Sequence, residues 1–302
     1  MTATSAPPRS SPLSANLVCM ASMLIWAAGL PAADFIIPLL AADQLTALRM
    51  ALAALALLPV WAVMEGPGAL ARASWIKGTM VGAMLGFGAW LLIIGQTLGG
   101  AVTAAVISAS LPVVGIAIEV LLDGRRMTLG LILGMILSLI GGIVALDWTG
   151  GLSLGLGALF CFGSVVSFTI GSRLSVTAFP QLSAIGRTAL TTSGAAIATS
   201  AVALGGVAFG NPLPDLGLWG PMEIAALLAF SVGSFALSQL LWIMSVERLG
   251  IGLSALHINA APFYVMVLLF LLGHGWSWMQ AGAAGLVALG VLIAQGIIGP
   301  KA

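Results

Sequence analysis

Charge is what this chain has least of. Only 6% of its 302 residues are Asp, Glu, Lys or Arg, against 60% hydrophobic, and the mean hydropathy is +1.16. Soluble domains carry about 25% charged residues. An ordinary water-soluble globule is therefore excluded, because the apolar surface exceeds what one core can hide. A net charge of +1 gives no basis for nucleic acid or an acidic partner. Cysteine is scarce as well. Cys19 and Cys161 are the only two, each inside an apolar run, where cysteine behaves as a small buried hydrophobe; no disulfide, metal site or cofactor is expected. No Asp or Glu falls near the middle of any apolar run: Glu119 and Asp34 both lie toward the ends of theirs. A proton relay built on an intramembrane carboxylate has nothing to work with.

What the chain has instead is ten apolar segments, near 14–33, 44–64, 76–96, 101–122, 127–146, 152–172, 182–209, 220–244, 252–272 and 277–298. Most approach the 20 residues that cross a bilayer as a helix. Residues 1–13 are Pro-, Ser- and Ala-rich and read as a disordered cytoplasmic tail. The basic residues set the orientation. With the N-terminus inside and the spans alternating, Arg9, Arg72, Lys77, Arg125, Arg126, Arg173, Arg187, Arg248 and Lys301 all reach the cytoplasmic side. Only Arg49, near the outer end of the second span, does not. The reading is an all-α integral membrane protein of ten transmembrane helices with both termini cytoplasmic.

The ten segments repeat as two sets of five, 14–148 and 149–298. TALRMAL around Arg49 recurs as AIGRTAL around Arg187, Trp26-Ala27 is echoed by Phe162-Gly163, and Pro112 matches Pro262, 150 residues on. Five is odd, so the second unit enters the membrane upside down. Inverted repeats of this kind hold a substrate near the midplane, between the halves. The duplication also explains Arg49: its mate Arg187 sits in an inverted unit, so one of the two must lie outside.

The sequences LIWAAG, TALR and AIGR, SASLPVV and INAAPFY, with LGMILSLIGGIVAL and AAGLVALGVLIAQG, resemble in order and spacing the drug/metabolite transporter superfamily, in its ten-helix class built from two EamA-type units. The resemblance covers roughly 14–298, and within the class it leans toward YddG-type exporters of aromatic amino acids. It implies a bacterial inner-membrane protein, a monomer or weak homodimer, with a central cavity lined by spans 1–4 and 6–9.

Candidate cavity residues are Trp26, Trp90, Ser108, Phe162, Ser234, Ser238, Gln239, His257, Asn259 and Tyr264, and candidate hinges are Gly29, Pro31, Pro112 and Pro262. Ser231, Ser234, Ser238 and Trp242 form one face of span 8, beside Gln239. Such a stripe reads as a polar wall, although single serines often bond only their own backbone. Gly78, Gly82 and Gly86 at four-residue spacing read as a packing face that ends at Trp90. His257 and Asn259, about 200° apart on a helix, cannot both front the cavity unless the kink at Pro262 rotates the register.

A passage of aromatics, hydroxyls and amides without fixed charge suits neutral or zwitterionic amphipathic solutes, with aromatic or hydrophobic amino acids foremost. An anion would lack an arginine at mid-depth. Facilitated export by alternating access is the favoured reading. The alternative is a proton-coupled multidrug or metabolite exporter using His257, whose ordinary pKa is near 6.5. An intramembrane serine hydrolase built on Gly163-Ser164 or Gly233-Ser234 is disfavoured, since no base is seen within reach of either serine.

Overall fold

The computed structural model describes residues 12–145, 151–273, 275–276, 278–294 and 298; residues 1–11 of the expected tail, the boundary at 148 and Lys301 fall outside that set. No strand occurs among the described residues. The first half comprises α1 (Pro12–Asp34), α2 (Ala42–Glu65), the short α3 (Pro67–Ala71), α4 (Trp75–Ser108), α5 (Leu111–Asp123) and α6 (Leu129–Ala145). The second half opens with α7 (Gly151–Thr177) and α8 (Ala184–Ala208). One long span follows, built from α9 (Pro221–Leu228), a π-helical stretch (Ala229–Leu237) and α10 (Ser238–Leu249). Next comes a broken span of α11 (Ile251–Ala255), a 3-10 turn (Leu256–Ala260) and α12 (Ala261–Leu271), and then α13 (Trp278–Ala294).

Seven of these spans are long and apolar enough to cross a bilayer. Three segments are shorter than the usual twenty residues within the described residues: α5 has 13, and the described parts of α6 and α13 have 17 each. The expected fourth span is short because it is cut. Its first turns continue α4 beyond a sharp bend at Gly100, and α5 starts anew at Leu111.

The prolines therefore act differently from the expected mid-helix kink. Pro112 and Pro262 each stand in the first turn of a new helix, where a missing N–H leaves no bond unmade. The irregular backbone precedes them, at 109–110 and at 256–260. A second pair shares their spacing: Gly100 has φ 77, ψ 171 and Gly250 has φ 80, ψ 165. Only glycine takes that conformation without strain. The same bend, break and restart thus occurs in each half.

Close helix approach is set by glycine. A Cβ on Gly82 would lie 2.3 Å from the Thr191 carbonyl oxygen and 2.4 Å from the Ala195 nitrogen, so α4 meets α8 backbone to backbone. Gly134 of α6 does the same against Gly290 and Ala294 of α13. Gly29, expected to loosen α1, is instead a packing point: a Cβ there would come within 2.5 Å of Ser234 Cβ. Gly29→Ala should therefore push α1 off the π-helical stretch and cost about 1–3 kcal/mol, as overpacking typically does, read as a lower melting temperature.

The charges divide between two ends of the bundle. At one end Lys77 Nζ donates to the Ala178 carbonyl (2.9 Å), Ser183 bonds Glu65, Arg173 pairs with Asp123, and Glu119 pairs with Arg125 while accepting the Gly252 N–H at 2.8 Å. The other end carries Asp34, which accepts from Gln96 at 2.9 Å, and Asp43 beside Asn211. There Gln44 donates to the Pro212 carbonyl at 2.7 Å. Several of these bonds join the first half to the second.

Candidate functional site

Between the halves lies a narrow cavity of about 50 Å³, room for a few water molecules. Ser22, Met23 and Trp26 of α1 face it, with Arg49 of α2, Leu85, Ala89, Leu92 and Ser108 of α4, and Leu111. The second half contributes Ser164, Val165 and Phe168 of α7, Phe235 of the π-helical stretch, Ser238, Gln239 and Trp242 of α10, and Ile258. α6 and α13 pack on each other away from it. Of the expected residues it gathers Trp26, Ser108, Ser238 and Gln239.

The others stand elsewhere. Trp90 lines a lateral cleft between α4 and α8, with Phe87, Asp43 and Thr199. Phe162 is on the outer face of α7, 45% exposed. Ser234 is buried and spends its hydroxyl on the Trp26 carbonyl at 3.1 Å. Tyr264 is half-buried against the core around Cys19. His257 is buried with Nδ1 3.3 Å from its own helix's Leu253 carbonyl, and it does not line the cavity. Asn259 is fully buried, with neither amide atom bonded among the described residues. The 3-10 turn at 256–260 changes the register on which the two-face reading of His257 and Asn259 rests.

Arg49 is the residue that sequence reasoning misses. Its position near the outer end of α2 takes it out of the expected passage, which should then hold no arginine. In fact the side chain lines the cavity, is 2% exposed, and makes no ion pair or hydrogen bond among the described residues. Its guanidinium carbon sits 3.9 Å from the Phe230 ring centroid and 4.7 Å from that of Phe235, so the aromatic faces hold the charge by cation–π attraction. The arginine of the matching motif is engaged: Arg187 pairs with Glu247 at 2.8 Å and donates to the carbonyls of Phe179 (2.9 Å) and Pro180 (3.1 Å). One arginine of the pair is a structural pin and the other is unpartnered. The available signal is the charge pattern, in which Arg49 is the one exception.

Trp242 is legible as the end of the serine stripe but is not among the expected cavity residues. It is 1% exposed, its indole N–H donates to Ser172 Oγ at 3.0 Å, and its ring lies 5.8 Å from Phe168. The hydroxyls are less free than the stripe implies. Ser22 donates to the Ser238 carbonyl (2.7 Å), Ser108 to Ala104 (2.7 Å) and Ser238 to Phe235 (3.2 Å). They turn lone pairs, not protons, toward the cavity. The donors left over include the Arg49 guanidinium, the Ser164 hydroxyl on the cavity wall and the Gln239 amide nitrogen, which is buried and unbonded. No Asp or Glu is in the wall.

Cys19 and Cys161 are free thiols, both 0% exposed. Neither should react with a bulky maleimide in the folded protein, and both should react after denaturation; mass spectrometry before and after unfolding checks this.

No curated protein matches the chain. A solved structure described as "Crystal structure of protein" has the same fold, with a TM-score of 0.75 at 20% identity over 95% of this chain and 98% of its own. Residues 13–146, from α1 through α6, match the EamA-like transporter family.

Proposed function

We propose that this protein carries small amphipathic solutes, aromatic and hydrophobic amino acids foremost, across a bacterial inner membrane by alternating access of two inverted five-helix units. The observation that carries the reading is the cavity at the seam of the halves, walled by Trp26, Phe168, Phe235 and Trp242 with serines and Gln239 between them. Ligand pockets commonly measure about 300–1,000 Å³. At about 50 Å³ this one is contracted, and loading requires the halves to part.

The ten-span, inverted arrangement is supported by the helix pairings. α1 lies on the eighth span and α4 lies on α7, which is what exchanging the halves predicts for spans 1 with 8 and 3 with 6. α2 with α8, α5 with α11 and α6 with α13 are pairs of mates in contact. Gly100 with Gly250 and Pro112 with Pro262 are natural bending points. The seam bonds at each end break and re-form in turn as the halves rock.

Neither histidine nor carboxylate faces the cavity, which favours a facilitator over a proton-coupled carrier. Counterflow of radiolabelled L-phenylalanine into proteoliposomes tests both points. Uptake should proceed with equal pH on the two sides, and His257→Ala should leave it within about threefold of wild type. Flux that stops without a pH gradient, with that dependence lost in His257→Ala, would overturn the facilitator.

The latch at the basic end has its own pH signature. The Arg173 guanidinium, hydrogen-bonded to Asp123, holds that carboxyl below its usual range. A depressed folded pKa means that the contact is present above about 3.9 and lost as pH falls further, through the folded value. Asp123→Asn should mimic acid by making cysteines placed on either side of that seam more accessible. The carboxyl is exposed, so the melting temperature should hardly move.

A further inference from the structure

Resting on the solute reading just given, we infer that Arg49 is the carboxylate receptor of the central cavity, so that the protein selects amphipathic solutes by their carboxylate and not by an ammonium group. A cation with no counter-ion inside a membrane-spanning bundle is a functional candidate by default. Arg49 is 2% exposed, lies on the cavity wall and has no partner among the described residues. Its guanidinium carbon lies 3.9 and 4.7 Å from the Phe230 and Phe235 ring centroids. Neither ring offers an oxygen or nitrogen acceptor, so the N–H groups of the fork remain able to bond, and two parallel N–H groups match the two oxygens of a carboxylate.

The rest of the wall agrees. Gln239 offers a second unbonded donor. No Asp or Glu lines the cavity to neutralise the arginine or to bind an ammonium. Ser22, Ser108 and Ser238 have given their protons to backbone carbonyls. They can accept weakly from an amine, but they cannot require one. Trp26, Phe168 and Trp242 supply apolar surface for the remainder of the solute. The duplication provides an internal control. Arg187, at the equivalent place, is consumed by Glu247 and two carbonyls, so the duplication alone does not leave an arginine unpartnered. The class of substrate is an apolar or aromatic monocarboxylate, of which amino acids are one kind.

The test is binding to the full-length, detergent-purified protein, followed by tryptophan fluorescence and by thermal shift. The probes are L-phenylalanine, 3-phenylpropanoate, L-phenylalaninamide and hexanoate. L-Phenylalanine and 3-phenylpropanoate should bind within tenfold of each other, and L-phenylalaninamide at least tenfold more weakly than either. Arg49→Gln should erase that difference, and Arg49→Lys, which keeps the charge but not the fork, should weaken the carboxylates at least tenfold. Phenylalaninamide binding as tightly as phenylpropanoate, or a carboxylate preference that survives in a folded Arg49→Gln, would overturn the inference while leaving an aromatic-solute carrier intact. Arg49-dependent binding of hexanoate with no binding of any aromatic probe would support the inference and defeat the aromatic reading. If no carboxylate binds, the inference fails.

Discussion

Arg187→Leu should cripple the fold, while Arg49→Leu should leave it as stable as wild type or more so. The two arginines sit in the similar motifs TALRMAL and AIGRTAL and are both buried, Arg187 at 4% and Arg49 at 2% exposure, yet their surroundings predict opposite signs. Arg187 ties the start of α8 to the turn before it through the Phe179 and Pro180 carbonyls, and to α10 through Glu247. Charged hydrogen bonds to buried acceptors contribute about 1.5–3 kcal/mol each. Glu247 is 43% exposed, so its ion pair adds little after solvent screening. Losing the two carbonyl bonds should still cost on the order of 3 kcal/mol, about a 150-fold fall in the folded-to-unfolded ratio and a large share of a typical stability of about 5–15 kcal/mol. Arg49 has no such bonds to lose. Replacing a buried unpaired charge with a hydrocarbon removes a desolvation penalty of several kcal/mol, against which the cation–π contacts return about 2 kcal/mol. Thermal denaturation of the two purified variants decides the matter. In the same preparations Arg49→Leu should have lost the preference for carboxylates over L-phenylalaninamide.

Gly82→Val should abolish assembly altogether. A Cβ at that position would stand 2.3–2.6 Å from three backbone atoms of α8, at Thr191, Gly194 and Ala195. No rotamer change relieves contact with backbone, so α4 would have to move away from α8. That crossing also seats Gly78 against Leu190 and Gly86 against Thr199, and all three contacts open together. The overpacking cost starts at the 1–3 kcal/mol of ordinary core insertions and rises with the helices displaced. Gly155, by contrast, has nothing near its Cβ position, and Gly155→Val should purify like wild type. Size-exclusion profiles of the two variants in mild detergent make the comparison.

Much of this packing is legible in the amino-acid sequence. The glycine stripe of α4 reads as a contact face because spacing alone puts Gly78, Gly82 and Gly86 on one side, and backbone contact needs nothing more. Pro112 and Pro262 each mark the first turn of a new helix. Trp26, Ser108, Ser238 and Gln239 point to the cavity because each combines mid-span depth with a polar or aromatic tip. What stays hidden depends on rotation and reach. His257 and Asn259 sit in a 3-10 turn that no helical wheel describes. Phe162 and Trp90 have suitable depth, but their faces turn outward or to the side. Arg49 reads as peripheral from the position of its Cα, near the outer end of α2, whereas its long side chain extends into the cavity. Its aromatic partners come from the π-helical stretch of the eighth span, a contact across the seam that no local pattern records.

The central claim is that two units lie head-to-foot across the membrane with the site between them. Arg72 ends the connection after α2, just past α3, and Asp215 lies in the connection after α8, so inversion requires these residues to face opposite sides of the membrane. Arg72→Cys and Asp215→Cys, labelled with an impermeant maleimide in intact cells, test this directly, because the native cysteines are buried and silent. The account predicts immediate labelling at 215, and labelling at 72 only after permeabilisation. Both positions labelling from the same side would contradict it.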